Sequence, residues 1–405
     1  MASSVHKYMH FECLEEEQLM SKSVGAESAG KNQITIDPAY DAVAPDDFPA
    51  MMEVDRYGKR STAFDKIISA THDHFWDPLD TKYIDFSQPW DLEKEMLIPE
   101  DMNLELRTAV SDKLDEGQKI YLVNESVRWT MSSILHGEQG ALNLSASLCH
   151  IMKDPGAQEY AANQTREEAR HVTGFSRYIQ ARWGKPAPCG AVLEELLVEL
   201  VGTPVVWKKL VGMQMVLEGL AMGTFAAFYA RTHDPLLKRL MQLVMTDEAF
   251  HHKFGKIWAD RTVPNLPPEE RDMIEDWALE VFLRLLNNSS GPEQKKHLYE
   301  KVGLDWRWVQ GALMEAMTDT RMRKEMRSGT SIFRTLIKTL LKAGIITERT
   351  APKYAAYVDL EELYAEGDRM VGDAIAEEGI KYLKEINGAG GDGSLFALGG
   401  TSAAE

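Results

Sequence analysis

Residues 167–171 read Glu-Glu-Ala-Arg-His and residues 247–251 read Asp-Glu-Ala-Phe-His. Each holds a Glu-x-x-His unit, Glu168 to His171 and Glu248 to His251, and the chain contains no third. Glu138 precedes Glu168 by 30 residues and Glu218 precedes Glu248 by 30, so one offset of 80 residues relates the two triplets. Between the members of each set lies an Asp-Pro pair, Asp154-Pro155 and Asp234-Pro235. Asp caps the free N–H groups at a helix start and Pro fits the first turn, so each pair marks where one helix has ended and another begins. The chain runs 16 residues from Glu138 to Asp154 and returns 14 to Glu168, and the second set repeats these numbers. At about 1.5 Å rise per residue, the outward and return paths bring both carboxylates of a hairpin to nearly one height. Two such hairpins packed together gather four carboxylates and two imidazoles at one level, the ligand count of a dinuclear carboxylate site in a four-helix bundle.

Within each motif the i, i+3 spacing puts Glu and His on one helix face. We assign Glu168 and Glu248 as carboxylates that bridge two ions, Glu138 and Glu218 as terminal ligands, and His171 and His251 as one nitrogen donor to each ion. Such a donor set suits iron or manganese better than zinc or copper. Four carboxylates also neutralise two divalent ions, which permits their burial. Metal-bound histidines commonly donate their other N–H to a carboxylate. The acidic residues before each motif predict that Glu167 orients His251 and Asp247 orients His171. A single Glu-x-x-His is commonly just an exposed surface pair, but two with matched upstream glutamates and matched helix starts are not explained that way. A metal-free duplicated bundle would have to bury six ionisable groups unaided. His252 competes with His251 for the site, and the first motif's spacing favours His251. His136, His150, His233 and His297 have no matched partner.

The chain of 405 residues carries a net charge of −18. That acidity argues against nucleic acid as a partner. Cys13, Cys149 and Cys189 are far apart, which argues against a disulfide framework and against an attached iron–sulfur or rubredoxin module. The N-terminal residues show no apolar signal core and no run of 18 apolar residues suggests a membrane span, so the expectation is a cytoplasmic protein. Residues 1–100 read as an irregular arm; its aromatic stretch from His74-Phe75-Trp76 to Pro89-Trp90 is expected to wrap the bundle surface, with lining an entrance as the alternative. Residues 101–262 read as the four-helix bundle, with a short helix at 100–117 and bundle helices at 118–152, 154–183, 204–232 and 234–261. Residues 263–388 read as a helical extension packed on the bundle, in segments near 268–288, 292–328, 330–344 and 352–388, and residues 389–405 as a disordered tail. The fold class is all-α. Gly137 and Gly140 flank Glu138, and Gly219 and Gly223 follow Glu218. Glycine inside a helix costs about 1 kcal/mol relative to alanine, so either close packing or open space beside the ligands must account for them.

At these residues the chain resembles the ferritin-like di-iron carboxylate superfamily, in its ribonucleotide-reductase-like and oxygenase branch. The Glu167-Glu168-Ala-Arg-His171 and Asp247-Glu248-Ala-Phe-His251 runs look like motifs of bacterial multicomponent monooxygenase hydroxylases, acyl-carrier-protein desaturases and ring epoxidases. Ribonucleotide reductase subunits carry a radical tyrosine where this chain has Phe175, and arylamine N-oxygenases carry a further histidine where it has Val244. The resemblance implies a ferritin-like bundle with added N- and C-terminal helices, two iron ions (manganese the alternative) and O2 as co-substrate. It implies a monooxygenase-type oxidoreductase that hydroxylates, epoxidises or desaturates a small aromatic or acyl substrate. No dinucleotide or flavin motif is present, so electrons are expected from a separate reductase or ferredoxin; family habit points to a homodimer. The competing readings are a ferroxidase or peroxide scavenger, and a metal-stabilised scaffold subunit without catalysis.

Overall fold

The computed structural model describes residues 40–288, 291–317 and 332–389. Residues 1–39 of the N-terminal arm and 390–405 of the expected disordered tail lie outside these residues. Among the described residues the chain is all-helical, with one isolated bridge between Ala42 and Met152 and no strand. The longer helices are α1 (Glu116–Ile151), α2 (Pro155–Trp183), α3 (Ala191–Gly202), α4 (Val206–Arg231) and α5 (Pro235–Thr262). They are followed by α6 (Pro268–Asn288), α7 (Trp306–Met317), α8 (Ile332–Lys342) and α9 (Asp373–Ala389).

The Asp-Pro pairs start helices as their chemistry requires. Asp154 accepts a hydrogen bond from Gly156 N at 2.7 Å and Asp234 from Leu236 N at 2.9 Å, each with proline at the first helical position. Asp234 is also gripped by both Nε and Nη2 of Arg182, at 2.9 Å each, and by the Tyr178 hydroxyl. This ties the end of α2 to the start of α5. Asp115 and Gln118 form a reciprocal capping box that opens α1.

Four expectations change in detail. The segment near 292–328 is divided into Pro292–Lys295, Lys296–Lys301 and α7, with Gly303 at φ 80° before α7 and 318–328 outside the described residues. The short helix expected at 100–117 is instead three separate 3-10 turns, Glu100–Met102, Glu105–Arg107 and Ser111–Lys113. Asn103 and Thr108 side chains accept backbone N–H groups there and compete with helix propagation. The expected helix over 352–388 is broken into Ala351–Tyr354, Leu360–Ala365 and α9, with Gly367 at φ 71° in the break before α9. Fourth, α4 is not uniform. It begins as an α-turn at Val206–Lys209, widens to a π-helix over Leu210–Leu217, and resumes as α-helix at Glu218.

α1 packs along α2, α4 along α5, and α2 against α5, while α1 meets α4 chiefly through the π segment. α8 covers α4 and α9 covers α5. Two apolar clusters lie along these helices. One holds Leu144, Tyr160, Val211 and Phe254; the other holds Val123, Phe175, Phe225 and Leu240. The level of Glu138, Glu168, Glu218 and Glu248 lies between them in all four helices. α4 alone is long and apolar enough to cross a membrane among the described helices, but 78% of its apolar window is buried inside the molecule. It is a core helix here.

The glycines divide cleanly. A Cβ on Gly140 would come within 2.5 Å of Leu197, and one on Gly223 within 2.9 Å of the Ile332 backbone. One on Gly255 of α5 would lie 2.7 Å from Gln214 Cβ in the π segment. A Cβ on Gly137 would meet nothing within 4 Å. Gly255→Ala is therefore expected to destabilise the fold by about 1–3 kcal/mol through overpacking. Gly137→Ala should stabilise it by about 0.5–1 kcal/mol through helix propensity alone. Urea denaturation of the two variants checks the opposite signs.

Candidate metal centre

Six side chains from four helices converge where the apolar clusters part. Glu138 comes from α1, Glu168 and His171 from α2, Glu218 from α4 just after its π segment, and Glu248 and His251 from α5. All six are buried, none more than 6% exposed. His171 Nδ1 lies 3.2 Å from Glu138, 3.3 Å from Glu168 and 3.1 Å from Glu248. His251 Nδ1 lies 3.2 Å from Glu168, 3.1 Å from Glu248 and 3.7 Å from Glu218. Each imidazole thus faces both motif glutamates, while Glu138 approaches one ring and Glu218 the other. In this arrangement Glu168 and Glu248 each face both rings, and Glu138 and Glu218 one ring each.

The outward face of each ring is held across the pair, as expected from sequence. His171 Nε2 donates to Asp247 at 2.8 Å and His251 Nε2 to Glu167 at 3.0 Å. Asp247 is itself fixed by Trp76 Nε1 and Arg170 Nε, both at 2.9 Å, and by a second Arg170 contact. Gln164 lies one turn before Glu168 and donates at 3.1 Å to both Glu168 and Glu218. Its own oxygen accepts from Gln214 of the π segment at 2.8 Å. The wide turn thereby reaches the ligands through two amides.

The electrostatics show what the pocket lacks. Burial pushes the Glu138 carboxyl well above its ordinary value, and burial joined by Glu248 does the same to Glu218. Burial also works to raise Glu168, but His251 and hydrogen bonds from both imidazoles outweigh it and bring it down to about 2. For His171 burial opposes the charge, yet bonds to Asp247, Glu138, Glu168 and Glu248 hold the ring protonated well above the ordinary range. Without cations, then, the site balances its carboxylates with protons. Glu168 Oε2 is buried and its one polar neighbour is His171 Nδ1 at 3.3 Å, an ion-pair contact without hydrogen-bond geometry, so the oxygen keeps acceptor capacity toward the centre of the cluster. Glu138, Glu168, His171 and Glu248 can share one ion, and Glu168, Glu218 and His251 another, with the donor atoms of each group within 4.8 Å of one another. The residues present fit a pair of metal ions.

His252 stays outside both groups, and burial keeps its ring neutral, pushed down to about 4. His136, His150 and His233 bond backbone carbonyls of Ala187, Pro45 and Met96. Phe175 stacks on Phe225 in the core at 5.8 Å. Sequence reasoning missed His74, Trp76 and Gln164. The aromatic stretch was expected on the surface, but His74 and Trp76 are fully buried. His74 Nε2 sits 3.5 Å from Glu167 and 3.4 Å from Asp247, between the two carboxylates that hold the ligand imidazoles, and its ring stacks on Phe250 at 4.8 Å. The available signal for Gln164 was its place four residues before Glu168, on the same helix face; His74 and Trp76 lie in a mixed polar stretch, Thr71 to Asp77, that carries none.

No protein-family model, curated protein or solved structure matches this chain.

Two divalent ions per chain are expected on reconstitution, measured by elemental analysis. Glu168→Ala, which removes a ligand common to both ions, should lose both. Asp247→Ala should weaken occupancy roughly 10–100-fold by freeing the His171 ring. Because the metal-free site holds protons on Glu138, Glu218 and both imidazoles, ion binding must release protons, and affinity must rise with pH. Titration calorimetry in buffers of different ionisation enthalpy reads that release directly; a buffer-independent heat would contradict it.

Proposed function

We propose that this chain is an O2-dependent non-haem di-iron oxygenase in which α1, α2, α4 and α5 form a ferritin-like four-helix bundle. Iron is the metal the donor set favours, with manganese the alternative. The observation that carries this reading is a single coincidence. A cavity of about 480 Å³, walled mostly by apolar side chains, is lined at one place by Glu138, Glu218 and Glu248. A purely structural metal site is closed by its ligands, whereas a catalytic one keeps access. Cavities of a few hundred Å3 are the usual size for organic ligands.

Ions bound by these six residues would supply the electrons and Lewis acidity for reducing O2. The chain's own work is to hold, exclude and orient. Glu168 and Glu248, each facing both rings, can follow a change of charge on either ion without moving a helix. Asp247 and Glu167 keep each Nε2 proton in place, so each Nδ1 remains the donor toward the centre. Leu217, Leu220 and Ala221 beside Glu218 keep bulk water from the reacting position. The absence of a dinucleotide or flavin motif supports a separate reductase or ferredoxin as electron donor, and a cytoplasmic setting accords with that chemistry.

The Fe(II)-loaded protein should consume O2 in proportion to bound iron, and sustained turnover should require a reductase or ferredoxin. An oxygen electrode, with Glu168→Ala as the control, tests both. Oxidation of many Fe(II) per chain without an organic molecule would turn the assignment to a ferroxidase. Two bound ions with no O2 uptake would turn it to a scaffold.

A further inference from the structure

Two glutamines single out one half of the metal centre. Gln164 and Gln214 each lie four residues before a ligand glutamate, Glu168 and Glu218. The corresponding positions before Glu138 and Glu248 hold Ile134 and Val244. Val244 is buried in the second apolar cluster and Ile134 packs against it. The repeat that relates the two halves of the ligand set is therefore broken about one helical turn away from it. Both amides are fully buried, and they reach the carboxylates of Glu168 and Glu218. Hydrocarbon holds the matching places in the other half.

The Gln164 amide meets the donor atoms themselves. Its Nε2 donates at 3.1 Å to Glu168 Oε1 and at 3.1 Å to Glu218 Oε1. The same two oxygens face His251 Nδ1, at 3.2 and 3.7 Å. Glu168, Glu218 and His251 are the group able to share the second ion. Ligands at right angles around an ion with bonds of about 2.2 Å lie about 3.1 Å apart. The amide atom is thus spaced from both oxygens as a further ligand would be. An NH2 group only donates, whereas the carbonyl end of the same amide offers lone pairs. The neighbouring amide permits an exchange of ends. Gln164 Oε1 accepts from Gln214 Nε2 at 2.8 Å, while Gln214 Oε1 is buried without a hydrogen-bond partner among the described residues. The last torsion of a glutamine is broad and roughly two-fold. Half a turn of both amides brings Gln164 Oε1 to the carboxylates and Gln164 Nε2 to Gln214 Oε1, so the bond between the amides is kept with its direction reversed. A cation beside the carboxylates favours that orientation, because it attracts the carbonyl end and repels the N–H end.

We propose that Gln164 is a seventh protein ligand of the centre, binding the second ion through its amide oxygen. In the metal-free chain the same amide is turned to join Glu168 and Glu218 through its N–H groups. Gln214, carried by the π segment of α4, holds the amide in either orientation. The two ions are then unequal, since the one at Glu218 and His251 carries an amide oxygen that the one at Glu138 and His171 lacks. This rests on the proposed di-metal centre and not on its reaction with O2.

The test is a crystal structure of the full-length, Mn(II)-loaded protein with the ions located by anomalous scattering, joined to Mn(II) titration of Gln164→Met. In the crystal the Gln164 amide oxygen should lie about 2.0–2.4 Å from one ion. Methionine keeps the length of the side chain and removes the amide. The variant should bind one Mn(II) as the unaltered chain does and the other at least about tenfold more weakly. An amide that stays more than about 3 Å from both ions overturns the proposal and makes Gln164 a hydrogen-bond donor to the ligands alone. Binding of both ions by Gln164→Met as tightly as by the unaltered chain overturns it too. Should that variant fail to fold, by circular dichroism, the crystal structure decides alone. Two bound ions with the amide turned away overturn this inference and leave the di-metal centre standing, whereas no bound ion in the unaltered chain overturns both. O2 uptake, measured separately, bears on the oxygenase reading only.

Discussion

Six carboxylates, Glu138, Glu167, Glu168, Glu218, Asp247 and Glu248, lie buried at one level of four otherwise apolar helices. Everything around them follows from what that burial costs. An isolated ionised carboxylate in a low-dielectric interior is prohibitive, so each must be paired, protonated or bound to a cation. Arg170 answers for Asp247, and the two imidazoles stand between inner and outer carboxylates, each ring touching both. This leaves the inner four with too little positive charge, and protons on Glu138 and Glu218 make up the difference in the metal-free chain. The clustered donors could hold divalent ions in place of those protons, with Glu168 common to both groups. Fold and site are one problem here, because the helices can pack at this level only if the charge is solved.

The crossed pairing of Asp247 with His171 and Glu167 with His251 does more than neutralise. Each outer carboxylate belongs to the helix opposite the ring it holds, so α2 and α5 are stitched together twice at the height of the ligands. His74 then lies between those two carboxylates, brought there by a segment outside the four helices. A displacement of one helix along the other would break both bonds at once. Ligand geometry is thus fixed by the pair of helices and not by either one.

Much of this was legible because it is written in intervals. A repeat of 80 residues, two Asp-Pro starts and an i, i+3 motif determine height, direction and face, and these are properties of a regular helix. The same regularity explains the crossed carboxylates, which sit one residue before each motif glutamate and so point to the neighbouring helix. What the intervals could not show is where regularity fails. The π segment of α4 has an ordinary apolar sequence, Leu210 to Leu217, with no residue that demands a wide turn. The partner helix accommodates it, where Gly255 leaves room for Gln214. His74 and Trp76 escaped for a related reason, since their positions depend on a non-helical path with no period to read. The glycines near Glu138 and Glu218 were ambiguous in sequence because a missing side chain has two meanings. Gly140, Gly219 and Gly223 admit a neighbouring chain, and Gly137 admits nothing and leaves space.

That empty space links the charge problem to the cavity. A four-helix arrangement closed tightly on all sides would shield the carboxylates best, and three sides of this one are packed helix against helix. The fourth is held open by small residues on α1 and α4, although each added methylene there would bury more apolar surface and stabilise the fold by about 0.8 kcal/mol. The π turn meets α1 at one end of this side and leaves the rest of it parted. A chain selected for stability alone would fill that gap. That side is where Glu138, Glu218 and Glu248 border the cavity, so the least shielded face of the carboxylate cluster is the one from which a small molecule could reach it.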